Sequence, residues 1–258
     1  MAVLMAQLRA ASPPLYWAAV AHAIAIPVLL VLLAADSRTI LGINPWIKPL
    51  KFFVSVLIYL LTVAWLLKEI PSGRVGAAIG WAIAISMVVE NACIAMQSAR
   101  GVRSHFNADS PFDIAVFAIM GSFIVLNSVA MAVLLLATLR AQPHLASGYL
   151  TGIRLGVFLF LLGSAEAVFM LVRQSHTVGG PDGGPGLPFV NWSTKFGDLR
   201  IGHFIGLHAL QALPLAGWLI DRWAIPHAPL AVVAAAAVYC AVFALLTLQA
   251  LSGKPFLF

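Results

Sequence analysis

The chain has 258 residues, 62% of them hydrophobic and only 9% charged, against about 45–50% apolar and about 25% charged in a soluble globular domain. That balance excludes a soluble fold with a polar shell, and no polar stretch is long enough to bury a core of its own. The net charge of +6 is spread over many loops, so it suits anionic headgroups or a small anionic ligand and argues against nucleic acid.

Long apolar runs recur along the whole length, which predicts an all-α polytopic membrane protein: a seven-transmembrane-helix bundle forming one transmembrane domain over residues 1–258. The first span, about 14–35, follows Arg9 as the apolar core of a signal peptide would. It is too long for such a core and lacks a small-x-small cleavage site, so it reads as a retained helix. The remaining spans are about 46–68, 76–99, 112–139, 148–173, 200–221 and 228–251, each long enough for about 30 Å of hydrocarbon. Cys93 and Cys240 fall inside spans and read as small apolar residues rather than a disulfide.

Seven crossings place the termini on opposite sides. The N-terminal side has short loops with Lys68, Arg74, Arg140 and Arg222. The C-terminal side holds the loop Asp36 to Trp46, the loop Arg100 to Asn107 and the long loop Gln174 to Leu199, and it carries more basic residues. If several of those bases line a site, the bias of solvated bases toward the cytoplasm puts the N-terminus inside. The run Gly179 to Gly186 has glycine at five of its eight positions and cannot be regular structure; it is a flexible connector or a lid. Asn191-Trp192-Ser193 matches a short glycosylation sequon.

Polar side chains repeat at helical spacing. On the sixth span Arg200, His203, His208 and Gln211 share an arc of about 140°. On the third, Ser86, Glu90 and Gln97 lie within about 40°. Glu166 and Arg173 share a face of the fifth span; Lys48, Lys51, Ser55, Tyr59 and Thr62 form a stripe on the second; Asp113, Met120 and Asn127 recur at heptad spacing on the fourth. Glu90, Glu166 and His208 fall at a similar depth, roughly 10–13 Å below the C-terminal side. A lone carboxylate in hydrocarbon would protonate instead of staying charged, so these groups call for mutual pairing or a ligand.

These positions define a candidate polar pocket of Glu90, Glu166, His203, His208 and Gln211. Glu90, Glu166 and His208 suit a divalent Zn, Fe or Mn ion; His203 lies about 140° around the helix from His208, which disfavours both on one ion. A haem held by His22 and a histidine of the sixth span is disfavoured, because nothing pairs them at one depth. Lys48, Lys51, Arg100, Arg103, His105 and Arg200 form a basic rim that would attract phosphate or carboxylate if they do not simply snorkel to the headgroups.

Three stretches resemble those of uncharacterised bacterial seven-helix integral membrane proteins: Lys48-Pro-Leu-Lys51, Ala99-Arg-Gly-Val-Arg-Ser-His-Phe-Asn107 and Gly197-Asp-Leu-Arg-Ile-Gly-His-Phe-Ile-Gly-Leu-His-Ala-Leu-Gln211. The resemblance covers nearly the whole chain. It implies a bacterial inner-membrane location and carries no activity, catalytic residue or cofactor. Seven-helix zinc hydrolases of the ceramidase and adiponectin-receptor type are disfavoured, since the last span has no histidine. Microbial rhodopsins are disfavoured because Lys254 lies beyond that span. Three functional readings stay open: a pocket on the C-terminal side in which a metal acts on a lipid-like or small anionic ligand, a proton-coupled carrier or sensor using intramembrane Glu and His, and a structural or assembly subunit without catalysis.

Overall fold

The computed structural model of the chain describes residues 2–70, 73–140 and 144–256. The chain is an all-α, multi-pass integral membrane protein. Among the described residues, seven helices are long and apolar enough to cross a membrane. They are α2 (Pro13–Ala35), α3 (Ile47–Glu69), α4 (Gly73–Ala99), α5 (Pro111–Arg140), α6 (Ser147–Arg173), α7 (Leu199–Arg222) and α8 (Ala228–Leu251). Their bounds fall within about three residues of the expected spans. An additional helix, α1 (Ala2–Ala11), precedes them. At ten residues it is too short to leave a membrane-span signal in the sequence. It buries Leu8, and Arg9 just beyond lies 5.1 Å over the Trp17 ring.

The helices divide into two compact units, Met1–Val133 and Leu134–Phe258, with the division inside α5. In the first unit α2 packs on α3, and α4 packs on both. Leu29, Trp46 and Leu50 form one apolar cluster, and Ile94, Val116 and Met120 another. Polar stripes meet across helices here: Tyr59 Oη donates to Asn127 Oδ1 at 2.8 Å, and Gln97 Nε2 donates to Asp113 Oδ1 at 2.8 Å. Ser110 caps the helix: its Oγ accepts the Asp113 N–H at 3.1 Å and donates to the Asp113 carboxylate at 2.5 Å, while Pro111 occupies the position where a missing N–H costs nothing.

In the second unit α6 and α7 are the most closely packed helices, and α8 lies across both. Leu159, Ala209, Leu213 and Ala236 form their common core. The close approach depends on residues without side chains. A Cβ on Gly163 would lie 2.6 Å from the Gly206 carbonyl carbon, and a Cβ on Gly152 would collide with the Leu213 carbonyl oxygen. Lipid tails are as apolar as leucine, so membrane helices associate through such tight backbone contacts more than through hydrophobicity. Asp221, near the end of α7, accepts the first amides of α6, from Gly148 at 3.1 Å and Tyr149 at 2.6 Å. Arg154 donates to the Thr138 carbonyl near the end of α5 at 2.7 Å.

The two expected free cysteines are free and half-buried. The glycine-rich segment lies in the loop between α6 and α7. A short antiparallel pair, β1 (Thr177–Val178) with β2 (Gly197–Asp198), joins its two ends, and Gly186 bridges to Ser193.

The α6–α7 contact makes a direct prediction. Gly163→Leu should cost about 2 kcal/mol or more, as overpacking does, read as a lowered melting midpoint in detergent. Gly121→Leu is the control, since nothing described lies within 4 Å of a Cβ built there. Equal midpoints for the two variants would remove the glycine contact as a determinant of packing.

Candidate functional site

In the first unit the site is built where the loop after α4 folds back over the ends of α3 and α4. Glu90 sits on α4 at 3% exposure. The imidazole of His105, from the loop, brings Nε2 to 3.5 Å from Glu90 Oε1. The other ring nitrogen, Nδ1, faces Lys48 Nζ at 3.1 Å and Ser104 Oγ at 3.1 Å. An ammonium only donates, so Nδ1 accepts and the neutral ring carries its proton on Nε2, pointing at Glu90. Phe52, Phe106 and Phe117 surround the His105 ring, with centroids 6.1–6.2 Å away. Lys48, His105 and Glu90 thus form a line from the helix end to a buried carboxyl. Glu90 Oε2, at the inner end, has no hydrogen-bond partner among the described residues.

The other rim residues of this unit are placed differently. Arg100 donates to Asp113 Oδ1 at 2.5 Å and to the Gln97 side chain. Its charge is matched locally. Arg103 lies 3.9 Å from Asp109, with both side chains well exposed. Lys51 is half-buried on α3. In the loop after α2, hydrogen bonds from Arg38 and then from Trp46 Nε1 (2.8 Å) hold the Asp36 carboxyl well below the usual carboxylate range. Arg38 also donates to the Ala99 carbonyl at 3.1 Å, so this loop ties down the end of α4 from which the His105 loop starts.

The second unit has its own carboxyl–imidazole pair. Glu166 of α6 is 4% exposed, and His203 Nδ1 of α7 lies 3.6 Å from its Oε2. That same Nδ1 is 2.8 Å from the Gly163 carbonyl, which can only accept, so the ring proton is on Nδ1 and directed to the backbone. Both Glu166 oxygens lack a hydrogen-bond partner among the described residues. The approach of His203 follows from the Gly163–Gly206 contact, which sets α7 against α6 at this level. His208, which spacing favoured as the carboxylate's partner, stacks on Phe204 at 3.9 Å and bonds the Phe204 carbonyl at 2.8 Å through Nδ1. Gln211 is half-buried further along α7. Within neither unit do three or more described His, Cys, Asp or Glu side chains gather as a metal site.

Arg200 is taken up at the start of α7. Asp198 is the N-cap: it accepts the Arg200 amide at 3.1 Å, the Arg200 guanidinium at 2.6 and 2.9 Å, and the Ser193 amide at 2.8 Å. The neighbouring loop is pinned at Asp182. Burial would raise this carboxyl, but His176 (3.0 Å), Ser175 Oγ (2.7 Å) and the Thr177 amide (2.9 Å) outweigh it and hold Asp182 well below the usual carboxylate range.

Sequence reasoning put His105 in the rim and left it unconnected to Glu90; the density of hydrogen-bonding residues in Arg103 to Asn107 was the available signal. Asn91, buried beside Glu90, was missed because one polar residue next to a carboxylate adds nothing to a periodic pattern. No protein-family model, curated protein or solved structure matches the chain.

The Asp182 anchor has a testable pH dependence. A carboxyl depressed on folding stabilises the fold above its unfolded value, near about 4, and loses that effect only as pH falls through its lower folded value. Backbone exchange at residues 177–182, corrected for intrinsic rates, should therefore stay slow from neutral pH down to about 5. It should be faster throughout that range in Asp182→Ala. Identical protection in variant and wild type would leave the loop held by its β pair alone.

Proposed function

We propose that the chain is a proton-coupled membrane protein, a carrier or sensor, in which His105 passes protons between the aqueous surface and Glu90. The observation that carries this reading is the line Lys48–His105–Glu90, whose inner carboxyl has an oxygen with no partner among the described residues. Intramembrane carboxyls and histidines placed this way mark proton relays in other membrane proteins.

The chemistry follows from the ring. With Lys48 on Nδ1, imidazole accepts no proton from water. When the flexible lysine swings away, a solvent proton binds Nδ1 and the ring becomes imidazolium. Its Nε2–H then passes to Glu90 Oε1, which becomes a neutral carboxylic acid, and the ring is left neutral with its proton on Nδ1. Lys48 is thus a gate: it blocks the entry nitrogen and, as a nearby cation, opposes a second positive charge. Lys51, the Arg103–Asp109 and Asp36–Arg38 pairs and the neutralised Arg100–Asp113 pair are further charged groups at this end of the unit. The 3.5 Å between Nε2 and the carboxyl is longer than a formed hydrogen bond, and such contacts tighten as transfer begins.

The inner-membrane location and cytoplasmic N-terminus belong with this proposal, and they would put the relay's mouth on the periplasmic side. A second reading keeps a small anionic or lipid-like ligand at the same mouth. It is favoured by Arg103, whose exposed guanidinium is held only at 3.9 Å by Asp109.

Infrared difference spectroscopy of the protein in liposomes, stepped in pH in H₂O and D₂O, tests the relay. We expect a carboxylic C=O band that is missing in Glu90→Gln. Its hydrogen–deuterium exchange should slow by about 100-fold or more in His105→Phe, the usual loss when a positioned proton donor is removed, and quicken in Lys48→Met. A band that survives in Glu90→Gln, or exchanges at the wild-type rate in His105→Phe, would refute it.

A further inference from the structure

The relay ends on a carboxyl, but unpartnered polar atoms continue beyond it. Asn91 follows Glu90 on α4 and is 1% exposed, and neither Oδ1 nor Nδ2 has a hydrogen-bond partner among the described residues. His22, on α2, is 3% exposed; its Nδ1 donates to the Ala18 carbonyl at 2.7 Å, and its Nε2 has no partner among them either.

Helix geometry brings these groups to one level. Gly80 of α4 fits against Ser12 and Pro14 at the start of α2, where a Cβ would lie 3.5 Å from Pro14 Cγ. Both helices run in the same direction through the membrane, since one crossing separates them. From that contact, His22 lies about 15 Å along α2 from Ser12, and Asn91 about 16 Å along α4 from Gly80. Asn91 is turned only about 20° from Gly80 around α4, so it is on the face that meets α2. His22 is on the buried side of α2, its ring 4.9 Å from that of Phe53 on α3.

The atoms left over fix the chemistry of what joins them. His22 Nε2 and Glu90 Oε2 need a donor. Asn91 Oδ1 needs a donor and Asn91 Nδ2 an acceptor. A metal cation would leave the Asn91 N–H groups unmatched, and an anion would oppose Nε2, Oδ1 and Oε2. Water donates twice and accepts twice, and buried waters take two to four such partners. We infer that ordered water binds between α2 and α4, more than one molecule because three acceptors outnumber one water's protons, held by His22 Nε2, the Asn91 amide and Glu90 Oε2. If Glu90 is the proton acceptor proposed above, on which this part rests, the same water is where its proton goes next. The route then meets Leu15, Ala18 and Ala19 of α2 and Ile83 and Ala84 of α4, all buried. This apolar plug separates it from Ser12, whose own buried Oγ lines a cleft at the other end of the unit.

X-ray hydroxyl-radical footprinting of the full chain in lipid nanodiscs tests the site, because radicals formed from bound water label the side chains that touch it. His22 should be modified readily for its burial, and Met131, 0% exposed in the same unit, should be protected once each rate is scaled to intrinsic reactivity. Labelling of His22 should drop to the protected level in Asn91→Leu. Protection of His22 equal to that of Met131 in the wild type overturns the proposal without recourse to any variant. So does unchanged labelling in a folded Asn91→Leu. The infrared band reports separately on the relay: Glu90 exchange at the wild-type rate in His105→Phe, with His22 still labelled in the wild type, would end the relay and leave the water site standing.

Discussion

Hydrocarbon offers neither donors nor acceptors, so a polar side chain on a membrane-spanning helix has to find its partner in the protein. In the first unit this is what joins the helices laterally. Tyr59 reaches Asn127, and Gln97 and Arg100 reach Asp113. In the second unit the same need is met at the helix ends, where Asp221 serves the first amides of α6 and Asp198 those of α7. Glu90 Oε2, Asn91, His22 Nε2 and Glu166, with the Ser12 and Thr247 hydroxyls, stand apart because no described residue meets the rule for them. In a chain that satisfies most of its buried polar groups, those few are the exceptions, and the proposed relay and water site are built on Glu90, Asn91 and His22 among them.

The spans were legible because length and apolarity are strong, local properties of a membrane helix. The polar stripes were legible too: Tyr59 and Asn127 stood in two separate stripes, as did Gln97 and Asp113, and each pair is now a hydrogen bond. Periodicity tells which side chains share a face, and it is silent about which faces meet. For that reason His208 looked a better partner for Glu166 than His203. The choice is made by Gly163 and Gly206, two residues that contribute no side chain at all. His105 was harder still, since a loop folding back over a helix end has no period. Arg200 could have been read better: Asp-Leu-Arg at the start of an apolar helix is a cap with its own cation, and it explains the arginine locally.

The two pairs differ in chemical state although their residues are alike. His105 has its proton on the nitrogen that faces Glu90, so it can donate to the carboxyl. His203 has its proton on the nitrogen claimed by Gly163, so Glu166 receives no such bond. One imidazole is wired to its carboxyl and the other to the backbone. Identical residue types at membrane depth therefore do not imply identical roles; the second partner of each ring decides.

Gly163 holds both ends of that distinction in the second unit. Its α-carbon is where α6 and α7 touch, and its carbonyl is where the His203 proton is stored. Helix spacing and the acceptor of that N–H are thus one variable. If α7 slid or tilted away from α6 by a fraction of a turn, the carbonyl would release the ring, and the freed N–H would find the Glu166 oxygen already 3.6 Å away. A mechanical displacement would then be written directly as a change in the charge a buried carboxyl can bear. The converse also holds: ionising that carboxyl would pull the imidazole off the backbone and loosen the tightest helix contact in the unit.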